Sequence, residues 1–338
     1  MCKIAKKISI IFMVAIMLLA VSGCSSKESQ TKDESRKDVE AFALDTVVSF
    51  SVWDTDQTVL NEAVNICNNY DKLLSKSVET SDIYKLNHSE GKPVTVNDET
   101  LYIIEKSVEF SKKSAGNFDI TIMPVKELWD FKSENPKIPL DSDIKAALKK
   151  VDYNNIIING NDVTLKNGAQ IDLGGSAKGY IADKIKEHFV KNNVKKAIIN
   201  LGGNVLMVGE KSLNEPWTVG IQHPDKARNE SLGTVKVKDK SVVTSGVYER
   251  YFEVDGKIYH HLLNPFDGKP ANNGVASVTI ISDNSLEGDI LSSTCFVLGF
   301  EEGMKLIESL DGIEAIYVFD DLSIKTSSGI SKYDFEVL

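Results

Sequence analysis

Residues 170–180, Gln170-Ile171-Asp172-Leu173-Gly174-Gly175-Ser176-Ala177-Lys178-Gly179-Tyr180, restrict the possible folds of this chain more than any other stretch. An apolar run meets a carboxylate, two adjacent glycines and a lysine just before Ile181, Ile185 and Phe189 begin to recur at four-residue steps. That pattern predicts a tight entry into a helix with one buried face. With no side chains on Gly174 and Gly175, a ligand can approach the main chain closely. The unpaired N–H groups of the first helical turn favour an anion there, and Lys178 adds a full positive charge. A phosphate-bearing ligand fits this turn, as does a plain strand-to-helix connection, and the segment alone leaves both open.

The 338 residues carry a formal charge of -10, which argues against nucleic acid as a partner. Any phosphate must be held by local dipoles, single cations or a metal. At the start, Lys3, Lys6 and Lys7 precede an apolar run over residues 8–21 that leads into Val21-Ser22-Gly23-Cys24. This reads as an export signal. The Leu-Ala-Val-Ser-Gly-Cys spelling resembles a bacterial lipobox, so residues 1–23 are expected to be a signal peptide and Cys24 the lipidated residue. A plain signal peptide or an uncleaved anchor are the alternatives. Residues 25–38 hold no large apolar side chain, so 24–39 read as the lipid site and a flexible tether, with one domain over 40–338. The expected location is the extracytoplasmic face of a bacterial cell membrane. Of four cysteines, Cys67 and Cys295 fall in apolar helical patterns and are expected to be buried thiols.

Residues 42–53 read as an opening strand, and Leu60, Ala63, Val64, Cys67, Tyr70 and Leu74 recur at helical spacing. A loop is expected over 75–87 and a second helix over 99–114, closed by Gly116. Strands are expected over 196–201, 205–208, 217–222, 276–281 and 315–319, and helices over 286–298 and 301–310. Asp255-Gly256 between β-rich runs signals a hairpin in which Phe252 faces Tyr259 and Arg250 faces His261. The interleaving lacks a strict βαβ rhythm. The expected class is therefore α+β, a layered fold of mixed or antiparallel sheets packed with helices.

Asp289 and Ser293 stand four apart on an expected helix and so share one side of it. Hard oxygen ligands suit Mg²⁺, which takes one or two carboxylates and fills its octahedron with water and phosphate oxygens. A capping aspartate beside a back-bonded serine is the plainer explanation. His260 and His261 are neighbours in a strand, so at most one lines a given site, and a neutral imidazole is the usual acceptor of a hydroxyl proton. Thr244-Ser245-Gly246 reads as a hydroxyl-rich turn near Arg250.

Together these blocks resemble the ApbE family of FAD:protein FMN transferases from about Phe42 to the end of the chain. The resemblance rests on Leu44-Asp45-Thr46, Ser81-Asp82-Ile83-Tyr84, Gly116-Asn117-Phe118-Asp119 and Asp172 to Tyr180. It continues through Leu201-Gly202-Gly203-Asn204, Thr244-Ser245-Gly246, His261-Leu262-Leu263-Asn264-Pro265 and Asp289 to Ser293. It implies an ApbE-like, T-fold-like architecture in an exported enzyme that takes FAD and Mg²⁺. Such an enzyme splits the pyrophosphate, joins FMN to a threonine of an acceptor protein and releases AMP. The acceptors would be extracytoplasmic electron-transfer proteins with an FMN-binding domain.

By this resemblance, Asp289 and Ser293 hold the metal with the main-chain carbonyl of Gly175, and His261 is the base. FAD is contacted by Leu44, Ser77, Asn117, Phe118, Asp119, Asp172, Lys178, Thr244, Ser245, Gly246 and Arg250. Departures from the family pattern are Leu44 for a methionine, Ser77 for an aromatic residue, Asn264 for an aspartate and Ser293 for a threonine. Two other readings use the same sequence: an FAD pyrophosphatase with water as acceptor, and a tethered lipoprotein that binds flavin without changing it.

Overall fold

No glycine or proline interrupts residues 36–53, yet the chain reverses there, with Leu44 and Asp45 both at positive φ (56° and 59°). In this computed structural model, which describes residues 35–228 and 230–338, the expected opening strand is a hairpin. A two-residue turn with both φ positive matches strand twist, and it is usually signalled by Asn-Gly. Residues 36–39, expected to close the tether, pair within this hairpin. The expected signal peptide, Cys24 and the rest of the tether lie outside the described residues.

The elements in order are β1 (Arg36–Ala43), β2 (Thr46–Trp53), α1 (Gln57–Leu74), α2 (Asp82–Asn87), β3 (Val94–Thr95), α3 (Asp98–Lys113), α4 (Met123–Trp129) and α5 (Asp141–Leu148). Next come β4 (Ile156–Asn159), β5 (Asp162–Leu165), α6 (Ala177–Lys191), β6 (Ala197–Leu201), β7 (Asn204–Val208), β8 (Trp217–Gln222), β9 (Ser231–Val237) and β10 (Ser241–Gly246). The chain closes with β11 (Tyr251–Val254), β12 (Lys257–His260), β13 (Val275–Ser282), α7 (Ser285–Glu308), β14 (Glu314–Phe319), β15 (Ile324–Thr326) and β16 (Glu336–Val337).

Eight strands form one sheet in the order β1-β2-β6-β7-β10-β13-β14-β15, and every neighbouring pair is antiparallel. Alternation along the strands decides which layer each side chain joins. Val48, Phe50, Val52, Ile199 and Leu206 pack against Leu60 and Cys67 of α1 and Ile181, Ile185 and Phe189 of α6. Further along, Val278, Ile280 and Tyr317 meet Leu286, Ile290 and Phe296 of α7. The opposite face, through Met207, Val242, Ile281 and Ile316, covers Trp217, Val219, Val235 and Val237 of a small sheet ordered β16-β9-β8. Burying each such side chain contributes about 1.5–3 kcal/mol, so the helix layer is held firmly to the sheet. The result is an α+β layered fold with antiparallel sheets.

The hairpin β11–β12 has the expected register, with Phe252 opposite Tyr259 and the His261 N–H donating to the Arg250 carbonyl at 3.0 Å. Other expectations change. Residues 75–87 contain α2, capped by the Ser81 hydroxyl, which accepts the Tyr84 N–H. The helices expected over 286–298 and 301–310 do hold, as the two parts of Ser285–Glu308 on either side of Gly299, whose φ of 73° and ψ of -177° leave the helical region. Thr244-Ser245-Gly246 is not a turn. It is the end of β10, paired with Ser277 to Thr279 of β13 in the large sheet.

Candidate active site

The glycine segment ends where α6 crosses α7. A Cβ on Gly179 would lie 2.6 Å from the Ser285 carbonyl carbon and 2.7 Å from the Leu286 Cα, closer still to the Ser285 oxygen. Only glycine lets the two backbones touch there. The Asp183 carboxylate then accepts the Ser285 and Leu286 N–H groups, each at 2.9 Å, and burial raises its pKa to about 6. One turn along α7, the Asp289 carboxylate is 4% exposed; it accepts the Gly179 N–H at 2.9 Å and faces Lys178 Nζ at 3.4 Å. Lys178 also donates to the Gly174 carbonyl at 3.2 Å. A further turn on, Ser293 Oγ lies 3.9 Å from where a Gly175 Cβ would stand and 3.2 Å from Ser245 Oγ. Ser245 Oγ is in turn 2.8 Å from Ser292 Oγ. Crossing helices and the end of β10 thus gather the glycine turn, Asp289, Ser293 and Ser245 around one point.

Phe118 forms the floor: its ring would sit 3.2 Å from a Gly175 Cβ. Asp172 Oδ1 accepts Lys126 Nζ and the Gly174 N–H, both at 2.8 Å. Burial works to raise the Asp172 pKa, but Lys126 and the Gly174 N–H outweigh it and hold the carboxyl at about 2. Lys126 stands in α4, and nothing in the sequence spacing links it to Asp172.

His261 is lowered to about 3, first by burial and then by the charges of Lys126, Arg250 and His260, so its imidazole is neutral at ordinary pH. Its Nδ1 lies 3.3 Å from the Arg250 carbonyl. That carbonyl can only accept, which assigns the proton to Nδ1 and leaves Nε2 as the free acceptor. His260 points to the other face, bonds the Ala271 carbonyl through Nε2 at 3.0 Å and is lowered by burial to about 4. Asn264 does not orient His261, because its Oδ1 accepts the Phe266 N–H at 2.8 Å in a local turn.

The remaining expected residues lie around this centre. Thr244 Oγ1 is 2.8 Å from Thr279 Oγ1, and Gly246 packs on the Tyr248 ring. Asn117 donates to the Ser114 carbonyl at 2.8 Å. Asp119 is buried and spends its carboxylate on its own loop: Oδ1 accepts the Thr121 N–H and hydroxyl at 2.8 and 2.6 Å, and Oδ2 accepts the Tyr153 N–H at 2.8 Å. Leu44 forms the β1–β2 turn. Beside it Arg250 donates to the Asp45 carbonyl at 3.4 Å and lines a cleft of about 480 Å³ with Phe42, Phe131, Lys132 and Tyr251. Ser77 is exposed after α1; its neighbour Lys76 is one of the charges that lower Asp172.

No group of three or more His, Cys, Asp or Glu side chains that could hold a metal occurs among the described residues. One carboxylate, one hydroxyl and the glycine-turn main chain are hard oxygen donors, too few to complete a coordination shell. Such a set fits an ion that draws its other ligands from water and phosphate, as Mg²⁺ does, and not a closed zinc site.

The ApbE family model matches residues 44–317. An FAD:protein FMN transferase of Klebsiella pneumoniae (strain 342) is 34% identical over 292 residues, 85% of this chain and 90% of that protein. Another FAD:protein FMN transferase, from Treponema pallidum (strain Nichols), is 31% identical over 336 residues, 94% of this chain and 93% of its own length. Among solved structures, the ApbE protein of Thermotoga maritima superposes with a TM-score of 0.81 at 32% identity, covering 88% of this chain and 99% of that one. The apo flavinyl transferase ApbE of Pseudomonas stutzeri gives 0.78 at 26%, covering 88% and 96%.

Proposed function

This chain belongs to the ApbE family, and we propose that it is an FAD:protein FMN transferase that moves FMN from FAD to a threonine hydroxyl of an acceptor protein and releases AMP. The observation that carries this reading is the meeting of Asp289 and Ser293 with the Gly174-Gly175 turn, beside Lys178. In the reaction the threonine Oγ bonds to the FMN phosphorus as the bond from that phosphorus to the AMP phosphate breaks, and the hydroxyl proton goes to His261 Nε2. Asp289, Ser293 and the Gly175 carbonyl would hold Mg²⁺. Bound there, the ion would offset charge on the diphosphate. Lys178 and Lys126 would add fixed positive charge beside the diphosphate, each held in place by its carboxylate partner. The Arg250 carbonyl keeps His261 in the tautomer that can accept a proton.

The proposal extends to the ends of the pathway. Cys24 would be the lipidated first residue of the mature chain once residues 1–23 are removed, holding the enzyme on the extracytoplasmic face of the membrane near electron-transfer acceptors that carry an FMN-binding domain. Loss of membrane association in Cys24→Ala tests that part. For the activity, purified protein is mixed with FAD, Mg²⁺ and an acceptor domain. Covalent flavin fluorescence on the acceptor in a denaturing gel is expected. Free FMN and AMP with an unmodified acceptor would make the protein a hydrolase, and intact FAD would make it a passive flavin receptor.

A further inference from the structure

FAD brings two flat heteroaromatic ring systems, yet the cradle around Gly175 offers them little π surface. Its aromatic side chain, Phe118, is 8% exposed and lies under the glycine turn. The loop after His261 supplies what Phe118 cannot. Phe266 is 62% exposed, and its backbone is fixed by its N–H donating to Asn264 Oδ1. Its ring leans on Gly116, where an added Cβ would stand 3.5 Å from Phe266 Cζ and 3.7 Å from Tyr153 Cε1. Two rings therefore converge over Gly116, one residue before Asn117 and two before the Phe118 floor. Tyr153 is itself placed by Asp119, whose Oδ2 accepts its N–H.

We propose that Phe266 and Tyr153 form a stacking shelf for one ring system of FAD, with Asp119 as the positioning residue for Tyr153. The inference rests on FAD being the substrate. Aromatic stacking suits either end of the molecule, because the adenine and the isoalloxazine both present a π face.

The test measures Kd for FAD, ADP and FMN, and KM against kcat for FMN transfer, in the wild type, Phe266→Ala, Phe266→Leu, Phe266→Trp and Tyr153→Ala. Phe266→Ala is expected to raise the FAD Kd and KM about tenfold with kcat at saturating FAD unchanged, the scale on which base stacking acts. Phe266→Leu should behave like the alanine variant and Phe266→Trp like the wild type, because a ring and not bulk is required. A loss confined to ADP assigns the shelf to the adenine, and one confined to FMN assigns it to the isoalloxazine. Unchanged Kd for all three ligands in Phe266→Ala and Tyr153→Ala, in protein that still transfers FMN, overturns the shelf and leaves the proposed activity standing. A wild-type protein that binds no FAD overturns both.

Discussion

Replacing Gly179 by alanine sets two effects of known size against each other. Inside an exposed helix the change would stabilise by about 1 kcal/mol through propensity. Here the new Cβ would lie 2.7 Å from Leu286 Cα, where ordinary contact begins at 3.4 Å, and closer still to the Ser285 oxygen, so α7 must retreat by more than about 0.7 Å. The obstructing atoms are backbone and cannot rotate aside. Overpacking of this kind costs about 1–3 kcal/mol and should exceed the propensity gain. The net loss of up to about 2 kcal/mol would lower Tm by as much as a few degrees in a chain of this size. Activity should suffer more, since α7 carries Asp289 and Ser293 away from the glycine turn, and a misplacement near 1 Å can cost about 10²-fold. Calorimetry and the acceptor gel at saturating FAD read the two effects. A Gly179→Ala protein with raised Tm and wild-type transfer would refute the argument that this crossing builds the site.

Asp289→Ala should abolish transfer, whereas His261→Ala should fall by about 10²–10⁴-fold and keep a measurable residue, since charge stabilisation outweighs the base in phosphoryl transfer; purified-enzyme rates for the two variants decide it, and equal near-wild-type rates contradict it. Because His261 is lowered to about 3, kcat/KM should show no acid limb from a histidine near pH 6.5; such a limb, lost in His261→Gln, would contradict the assignment. His260, lowered to about 4, stays neutral when folded while the unfolded chain protonates near 6.5, so its contribution is present above 6.5 and drains away as pH falls to 4. Denaturant titrations should show the wild type losing up to about 3 kcal/mol more than His260→Gln over that window, and parallel curves would refute the shift. Burial pushes the Cys67 and Cys295 thiols to about 12, so iodoacetamide at pH 8 should label neither in the folded protein, and labelling of either before unfolding would contradict their burial.

Much of the fold is readable from periodicity where elements are long. Leu60, Ala63, Cys67 and Leu74 are buried along α1, and Ile181, Ile185 and Phe189 along α6, as their spacing requires. The Asp255-Gly256 turn fixes the β11–β12 register because both residues take positive φ. The turn at Leu44-Asp45 escapes notice because leucine rarely takes positive φ and no glycine follows Asp45 to signal a hairpin. Helices α2, α4 and α5 have six to eight residues each, too short for a periodic signal, and α4 hides Lys126. Thr244 to Gly246 look like a turn by composition, and only pairing with β13 makes them strand. Asp119 stands in a motif that resemblance assigns to the ligand, yet its carboxylate is saturated by Thr121 and Tyr153. No local rule brings Asp289 to Gly179, since that contact depends on a helix crossing permitted by one missing methyl group.

The central claim is that Gly175, Asp289 and Ser293 hold a divalent cation against the diphosphate of FAD. It is tested most directly by the FAD Kd of the wild type and of Asp289→Asn, each with Mg²⁺ and with chelator. The expected result is that Mg²⁺ tightens FAD binding by about tenfold or more in the wild type and has no effect in the variant, which keeps the fold because an amide oxygen can still accept the Gly179 N–H. An FAD affinity in the wild type that is indifferent to Mg²⁺ would contradict it.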